Sequence, residues 1–206
     1  MDVTTLCYME KDGKYLMLHR IKKKNDINEG KWIAPGGHCE NGESPDDCVK
    51  REVMDETGIK LNSVRFRGIV TFYSKAVTGE RDKLYDGEPE EAEMPEKPEE
   101  AENIEKIEKA EKPEKTEERA DITDYMCLFT SDDFEYDNKT KGSELFDCNE
   151  GVLEWISKDE LSKLDLWKGD LIFLDLIRDP GQPFFSLKLT YEGDVLTEAV
   201  LDGKRL

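Results

Sequence analysis

The segment from Gly37 to Ile59 constrains this chain more than any other part of its sequence, because it crowds acidic residues into the end of one predicted helix. It reads GHCENGESPDDCVKREVMDETGI. Glu52, Asp55 and Glu56 are spaced so that a helix brings their carboxylates to one face, where they repel one another. A compact group of oxygen ligands suits a hard divalent cation. Mg²⁺ is the first expectation, with Mn²⁺ possible.

The helix that carries these carboxylates has clear start and stop signals. Ser44 is suited to the N-cap, Pro45 to the first turn, and Gly58 to a left-handed residue after the last turn. Ahead of it, residues 32–37 read as a short strand that runs into a glycine turn, where small residues let the backbone approach a ligand. The predicted unit is therefore strand, loop and acidic helix.

Three parts of this segment are spaced as in a known motif. Gly37, Glu43 and the run from Arg51 to Ile59 resemble the Nudix box of the Nudix hydrolases. Asp55 departs from the family pattern, which has Glu there, and its side chain is shorter by one methylene. The alternative is an amphipathic helix with a solvated acidic face. The resemblance implies an α/β fold in which a mixed β-sheet is sandwiched between helices, α/β/α.

The same resemblance implies a set of site residues. The expected metal ligands are the carbonyl of Gly37 and the side chains of Glu52, Asp55, Glu56 and Glu150. Glu150 could instead be a strand-edge glutamate in water. Either Glu56 or Glu52 could take the proton from the attacking water. Arg51 is expected to hold Glu43 by a bidentate pair that fixes the loop against the helix, so that these two orient the catalytic group.

A second resemblance concerns the substrate. Residues 166–170, LWKGD, are similar to the base-contacting segment of the 8-oxo-dGTP diphosphatases. The resemblance implies that Trp167 stacks on a purine and Asp170 reads its edge, although Trp167 could equally be a core residue. Gly169 stands where mammalian members have a second aspartate, and Ile33 where they have a base-reading asparagine, which leaves the base open.

Composition adds an insertion and limits the partners. The 206-residue chain has a formal net charge of −19, and residues 87–119 alone carry 14 Glu against 5 Lys and 1 Arg. So few apolar residues predict a disordered, acidic low-complexity insertion over 80–121, in a hairpin loop of one domain spanning 1–206. An interaction segment is the alternative. An acidic protein repels nucleic acid, so small nucleotides are the expected partners, with Arg20 and the lysines at 22–24 as cations for their phosphates.

The cysteines and the apolar pattern bear on location. Five cysteines without a CxxC pair favour a reduced chain, and no apolar run is long enough to span a membrane. A cytoplasmic protein without a membrane partner is therefore predicted. His19 and His38 are too scattered for a zinc site or a triad. The oligomeric state is left open.

The remaining pattern predicts strands and two further helices. Strands are expected at 3–9, 15–20, 64–74, 124–130, 152–156, 184–191 and 195–201. A capping box at 157–160 predicts a short helix, and a second is expected at 170–178. With the resemblance, these features predict a magnesium-dependent pyrophosphohydrolase that splits a nucleoside triphosphate, 8-oxo-dGTP or a similar oxidised purine, to monophosphate and pyrophosphate. The alternative is a nucleotide-binding module of weak or no catalysis, whose insertion binds a partner.

Overall fold

The computed structural model describes residues 2–22, 27–76, 121–136 and 148–206. The helices are α1 (Pro45–Thr57) and α2 (Asp170–Arg178), and neither is long and apolar enough to cross a membrane. The strands are β1 (Asp2–Lys11), β2 (Lys14–His19), β3 (Trp32–Ile33), β4 (Ile59–Leu61), β5 (Arg65–Lys75), β6 (Ile122–Ser131), β7 (Phe134–Tyr136), β8 (Val152–Ser157), β9 (Phe185–Glu192), β10 (Val195–Leu201) and β11 (Lys204–Arg205).

Most of these strands form one mixed sheet, in the order β11-β10-β9-β5-β6-β1-β2-β3, with β8 paired to β2. The pairs β1–β6 and β5–β9 are parallel, whereas β5–β6, β2–β8 and β9–β10 are antiparallel. Strands β4 and β7 form a separate two-stranded ribbon. The mixed sheet that the sequence predicted is therefore confirmed.

The two helices cover opposite faces of this sheet. Alternation along β1 shows the division, because successive side chains of a strand point to opposite faces. Cys7 and Met9 belong to a core cluster with Val49 and Val53 of α1, whereas Tyr8 packs in a second cluster with residues of α2. The helix, sheet and helix layers agree with the predicted α/β/α arrangement.

Two features depart from the expected elements. The capping box predicted at Ser157 was wrong, since only a single 3₁₀ turn at Leu161–Lys163 follows it and no side chain caps that turn. The Ser157 hydroxyl accepts a long hydrogen bond from Asp159 N at 3.4 Å and so forms a local turn. Strands β4, β7 and β11 were not predicted, because two or three residues are too few to show alternation.

The predicted insertion falls between β5 and β6, which are antiparallel neighbours as a hairpin requires. Residues 77–120 lie outside the described residues, as do Lys23 and Lys24 of the predicted basic run. The last residue of the predicted 80–121 range is described. The Asp121 carboxylate accepts hydrogen bonds from Tyr73 Oη and from Ala76 N. These contacts join the two ends of the hairpin at the edge of the insertion.

Candidate active site

Helix α1 presents the predicted charged residues because its ends are fixed locally. The Ser44 hydroxyl accepts from Asp47 N at 3.2 Å, and Gly58, in the left-handed region at φ 65°, donates to Met54 O at 2.8 Å. Val49 and Val53 are fully buried against the sheet. This packing turns the face that bears Arg51, Glu52 and Glu56 toward the loop that precedes the helix.

The loop at residues 35–39 is held against β1 by backbone hydrogen bonds. Thr5 N donates to Gly37 O at 2.8 Å, and Cys7 N donates to Pro35 O at 2.9 Å. Gly36 passes so close to β1 that a Cβ there would lie 2.0 Å from the carbonyl oxygen of Thr5. The Gly37 carbonyl also accepts two longer hydrogen bonds, from Thr5 Oγ1 at 3.4 Å and from Cys48 Sγ at 3.8 Å, with which a metal ion at this oxygen would compete.

A side chain approaches the backbone closely at position 37. A Cβ there would lie 2.5 Å from the carboxyl carbon of Glu52. The Glu52 carboxylate therefore packs directly on the Cα of Gly37. The structure brings together these two predicted ligands.

Arg51 links the loop to the helix, as predicted. Its Nε and Nη2 donate to the two oxygens of Glu43, both at 2.8 Å, which is the expected bidentate pair. Its Nη1 donates to Glu52 Oε1 at 2.7 Å, and Nη2 also reaches His38 O at 3.2 Å. The Arg51 guanidinium and the hydrogen bond from Glu40 N lower the pKa of Glu43 to about 2.

Glu56 has the most perturbed carboxylate of helix α1. Its Oε2 accepts from Gly36 N at 2.9 Å, and its side chain is half-buried. The pKa of Glu56 is raised from 4.5 to about 8, mainly by burial and also by the neighbouring carboxylates of Glu150 and Glu52, against the lowering effect of the Gly36 hydrogen bond. A carboxyl group that is protonated near neutral pH can exchange protons there.

Glu150 and Arg20 complete the group from the other side. Arg20 is buried, with 8% of its surface exposed, and its Nη1 donates to Glu150 Oε2. Glu150 raises the pKa of Glu56 and Arg20 lowers it. The structure thus pairs Arg20 with an acidic residue, whereas the sequence analysis predicted that it contacts substrate phosphates. Asp55 is exposed on α1.

No three His, Cys, Asp or Glu side chains within the described ranges converge closely enough to hold a metal ion as they stand. The predicted acidic residues instead have other partners: Glu52 contacts Arg51, Glu56 contacts Gly36 N, and Glu150 contacts Arg20. These partners separate the charges that would otherwise repel one another. The donor set still fits a hard cation, because carboxylates and a backbone carbonyl are oxygen ligands.

Trp167 lies near the start of α2. Its Nε1 donates to Asn28 Oδ1 at 2.8 Å, its ring meets Tyr191 edge to face at 5.7 Å, and Lys31 Nζ lies 5.2 Å from the ring centroid. The Trp167 ring is partly buried against the core cluster of α2. Asn28, Lys31 and Tyr191 were not identified from the sequence, where they carry no motif.

Asp170 is the first residue of α2 and has only 4% of its surface exposed. Burial raises its pKa to about 8, although a hydrogen bond from the Trp167 backbone opposes this rise. A protonated carboxyl group at neutral pH is a hydrogen-bond donor as well as an acceptor. Asp170 can therefore offer either function to a polar ligand edge.

Ile33 does not join Trp167 and Asp170. It is buried in the core cluster on the α1 side of the sheet, whereas its neighbour Trp32 packs against the cluster on the α2 side. Trp32 also stacks on His19, with ring centroids 4.4 Å apart.

Loop 27–31 connects the acidic group to the tryptophan. Arg20 N donates to Lys31 O at 2.9 Å, and Gly30 N donates to Arg20 O at 2.7 Å. Lys31 Nζ in turn lies 2.5 Å from Asp165 Oδ1 and over the ring of Trp167. The two halves of the predicted site therefore share one loop.

Comparisons with known proteins show what this chain is similar to. The NUDIX domain family matches residues 2–126. An "Uncharacterized Nudix hydrolase YvcI" of Bacillus subtilis is 39% identical over 187 residues, which cover 91% of this chain and 85% of that protein. An "Oxidized purine nucleoside triphosphate hydrolase" of Danio rerio is 28% identical over 95 residues, 43% of this chain and 59% of that protein.

Solved structures share the fold. A crystal structure of the MutT protein from Bacillus halodurans has a TM-score of 0.66 at 22% identity and covers 98% of both chains. Identity at this level is evidence for the fold alone. The likeness extends over nearly the whole length of each chain.

Proposed function

The chain belongs to the Nudix hydrolase family, and from this membership we propose that it is a divalent-metal-dependent pyrophosphohydrolase of nucleoside triphosphates. The proposed products are a nucleoside monophosphate and pyrophosphate, and the proposed base is an oxidised purine such as that of 8-oxo-dGTP. The observation that carries the proposal is the placement of the Glu52 and Glu56 carboxylates against the backbone of Gly36 and Gly37, with Arg51 joining Glu52 to Glu43.

The proposed ligands of Mg²⁺, or of Mn²⁺, are the Gly37 carbonyl and the side chains of Glu52, Asp55, Glu56 and Glu150. When bound, a divalent ion at this site supplies charge stabilisation for the phosphate oxygens and a water of lowered pKa. To coordinate it, Glu52 and Glu150 must share or exchange the arginine contacts they now make. From its place beside Glu150, Arg20 is the proposed contact of a substrate phosphate.

Glu56 is the proposed general base and Glu52 its alternative. Glu56 is held by Gly36 N, so its carboxylate keeps one orientation while its second oxygen can accept a proton from water. Arg51 and Glu43 act as positioning residues, since their bidentate pair fixes the loop against α1. The role of this pair is orientation, because Arg51 contacts Glu52 at the same time and so ties the loop to the helix face.

Trp167 and Asp170 are the proposed base-recognition residues. The name of the Danio rerio relative supports an oxidised purine, and the raised pKa of Asp170 gives it a donor that can distinguish one purine edge from another. In this arrangement Lys31 lies over the Trp167 ring and must shift if a base is to stack on that face. Ile33, on the α1 side of the sheet, is not proposed as a base contact.

A reduced, cytoplasmic location and a single domain with an acidic insertion at 80–121 complete the proposal. All five cysteines are free, which is compatible with a reducing compartment. The insertion carries too few apolar side chains to contribute to a core. It is therefore proposed to be dispensable for hydrolysis.

The test is a nucleotide panel with magnesium, in which monophosphate and pyrophosphate are quantified and the kinetics of dGTP and 8-oxo-dGTP are compared. We expect hydrolysis that requires the metal and favours 8-oxo-dGTP. Trp167→Ala should raise KM for both nucleotides about equally, by about 1–3 kcal/mol of lost stacking. Asp170→Asn should mainly change the ratio between them.

Trp155 provides a matched control, because it is partly buried on the α1 side and stacks on Phe134 instead of facing Trp167. Trp155→Ala should leave both KM values unchanged. Binding of nucleotides without any turnover would contradict the enzyme proposal and support a nucleotide-binding module instead. Unaltered kinetics in Trp167→Ala would remove the oxidised-purine assignment and leave only a Nudix hydrolase of another substrate.

A further inference from the structure

A second polar cleft lies at the end of the sheet where β1 turns into β2, β5 begins and α2 ends. It has a volume of about 520 Å³, within the range of small-molecule sites. Asp170 of the proposed active site lies at the opposite end of α2. A helix of nine residues separates the two by about 13 Å.

The charges around this cleft are unusual for a chain of net charge −19. Five of its lining residues are basic and three are acidic. Lys158 is paired with Glu10 at 2.5 Å and lies over the Tyr15 ring, so this pair adds no net charge. Lys11 lies over the ring of Tyr136. Three arginines remain, Arg65, Arg67 and Arg178, and we call them the arginine cluster.

Arg67 is the buried member of the arginine cluster, with 4% of its surface exposed. Its Nη1 donates to Ile177 O at 3.2 Å and its Nη2 to Asp179 O at 2.7 Å. These carbonyls hold the guanidinium at the C-terminus of α2 without neutralising it. Its Nε–H has no hydrogen-bond partner, and Arg67 makes no ion pair with any residue in the described part of the chain.

The surroundings of Arg67 have an electrostatic consequence. Burial and the nearby positive charge of Arg65 lower the pKa of Arg67, while Tyr15 and the carboxylates of Asp179 and Glu10 offset part of this lowering. A buried charge without a partner costs free energy, so an anion bound beside it would stabilise the fold.

The other two arginines are also held by carbonyl groups. Arg65 Nη1 donates to Pro180 O at 2.7 Å, and Arg178 Nη2 donates to Lys158 O. Arg178 Nη2 also lies 3.6 Å from the carboxylate of Asp159, which is 92% exposed, so this ion pair is screened by water. Three guanidinium groups therefore lie around one cleft, and backbone carbonyls accept hydrogen bonds from all of them.

We propose that this cleft binds the phosphoryl group of a small molecule, at a site separate from the active site. Guanidinium groups match phosphate oxygens in geometry and donate charge-assisted hydrogen bonds to them. The carboxylates of Asp12 and Asp132 line the same cleft and disfavour a long polyanion such as nucleic acid. The ligand is a compact phosphate, either free or as a monoester.

Calorimetric titration of the full chain in excess chelator, at constant ionic strength, tests this site apart from any metal-dependent binding. The two probes are inorganic phosphate and ribose 5-phosphate, which distinguish free phosphate from a monoester. The double variant Arg65→Gln/Arg178→Gln changes exposed side chains and should fold. It should weaken binding of the preferred probe by at least about tenfold, since each charge-assisted bond contributes to affinity.

Lys163→Gln/Lys204→Gln is the matched control, because it removes two exposed positive charges away from the cleft. It should change affinity by less than about twofold, as screened surface charges do. Arg67→Lys keeps the buried charge but removes the guanidinium fork, and it should also weaken phosphate binding. Nucleotide turnover should stay at the parental level in Arg67→Lys and in both double variants. Equal affinity in the parent and the Arg65/Arg178 variant, or no binding of either probe to the parent, would overturn the proposal.

Discussion

Replacing Glu56 by Gln should make the metal-free protein more stable while it removes activity. Gln has the same shape, and its amide oxygen can still accept the hydrogen bond from Gly36 N. Because the pKa of Glu56 rises from 4.5 to about 8 on folding, the folded protein holds a proton between these values that the unfolded chain releases. The stability of the parent must therefore fall as the pH rises through this interval.

The size of this effect follows from the two pKa values. A change of one pKa unit corresponds to about 1.4 kcal/mol, so the cost of ionising Glu56 in the folded state reaches about 4–5 kcal/mol above pH 8. At pH 6 it is roughly 2 kcal/mol. The difference in unfolding free energy between Glu56→Gln and the parent should therefore grow by about 2–3 kcal/mol from pH 6 to pH 9, or roughly 5–10 °C in Tm.

Thermal unfolding followed by circular dichroism in excess chelator measures this difference. Asp55→Asn is the matched control, since it removes one carboxylate from the same helix at an exposed position. Its Tm should follow that of the parent at every pH. Added Mg²⁺ should stabilise the parent and not Glu56→Gln, and turnover of the variant should fall by orders of magnitude. A Tm difference that stays constant from pH 6 to pH 9 would refute the electrostatic argument.

Three further perturbations test the loop, the positioning pair and the insertion. Gly37→Ala places a Cβ against the Glu52 carboxylate. Steady-state kinetics should show kcat reduced by about tenfold or more, while circular dichroism shows an intact fold. A parental kcat would mean that the Glu52 carboxylate need not stay in its present position. Arg51→Lys keeps the charge but cannot make two parallel bonds to Glu43, and it should lower kcat more than it raises KM; normal kcat would limit Arg51 to a structural role. Replacement of residues 87–119 by a short glycine-containing turn should leave Tm and turnover within error of the parent, and a large loss of stability would show that the segment packs.

Local signals were enough to predict the helix and much of the sheet. Ser44 and Gly58 define the ends of α1 by contacts within a few residues, and these ends were predicted correctly. Strands long enough to alternate, such as β1, were also found. The capping box at Ser157 was wrong because its sequence pattern also suits a simple turn, and packing of the neighbouring chain decides between the two.

The candidate site was predictable only in part, because some of its contacts join distant segments. The pair between Arg51 and Glu43 followed from spacing within the Nudix box, and it is present. The pair between Arg20 and Glu150 spans 130 residues, and no local pattern indicates it. The elevated pKa of Glu56 likewise depends on tertiary structure, first on burial and then on Glu150, which approaches from another part of the chain. Such contacts exist only after the sheet has formed.

The attachment of the 35–39 loop to β1 also fixes when the site can appear during synthesis. Strand β1 shares two residue pairs with β2 but eight with β6, which is parallel to it and leaves the ribosome roughly 120 residues later. Pairings of such sequence separation form slowly, since the intervening chain must close first. The helix of the Nudix box can therefore form early in translation, but the loop facing it has no stable support until β6 has been made. A nascent chain that ends before residue 131 should contain the whole motif and still lack a working site.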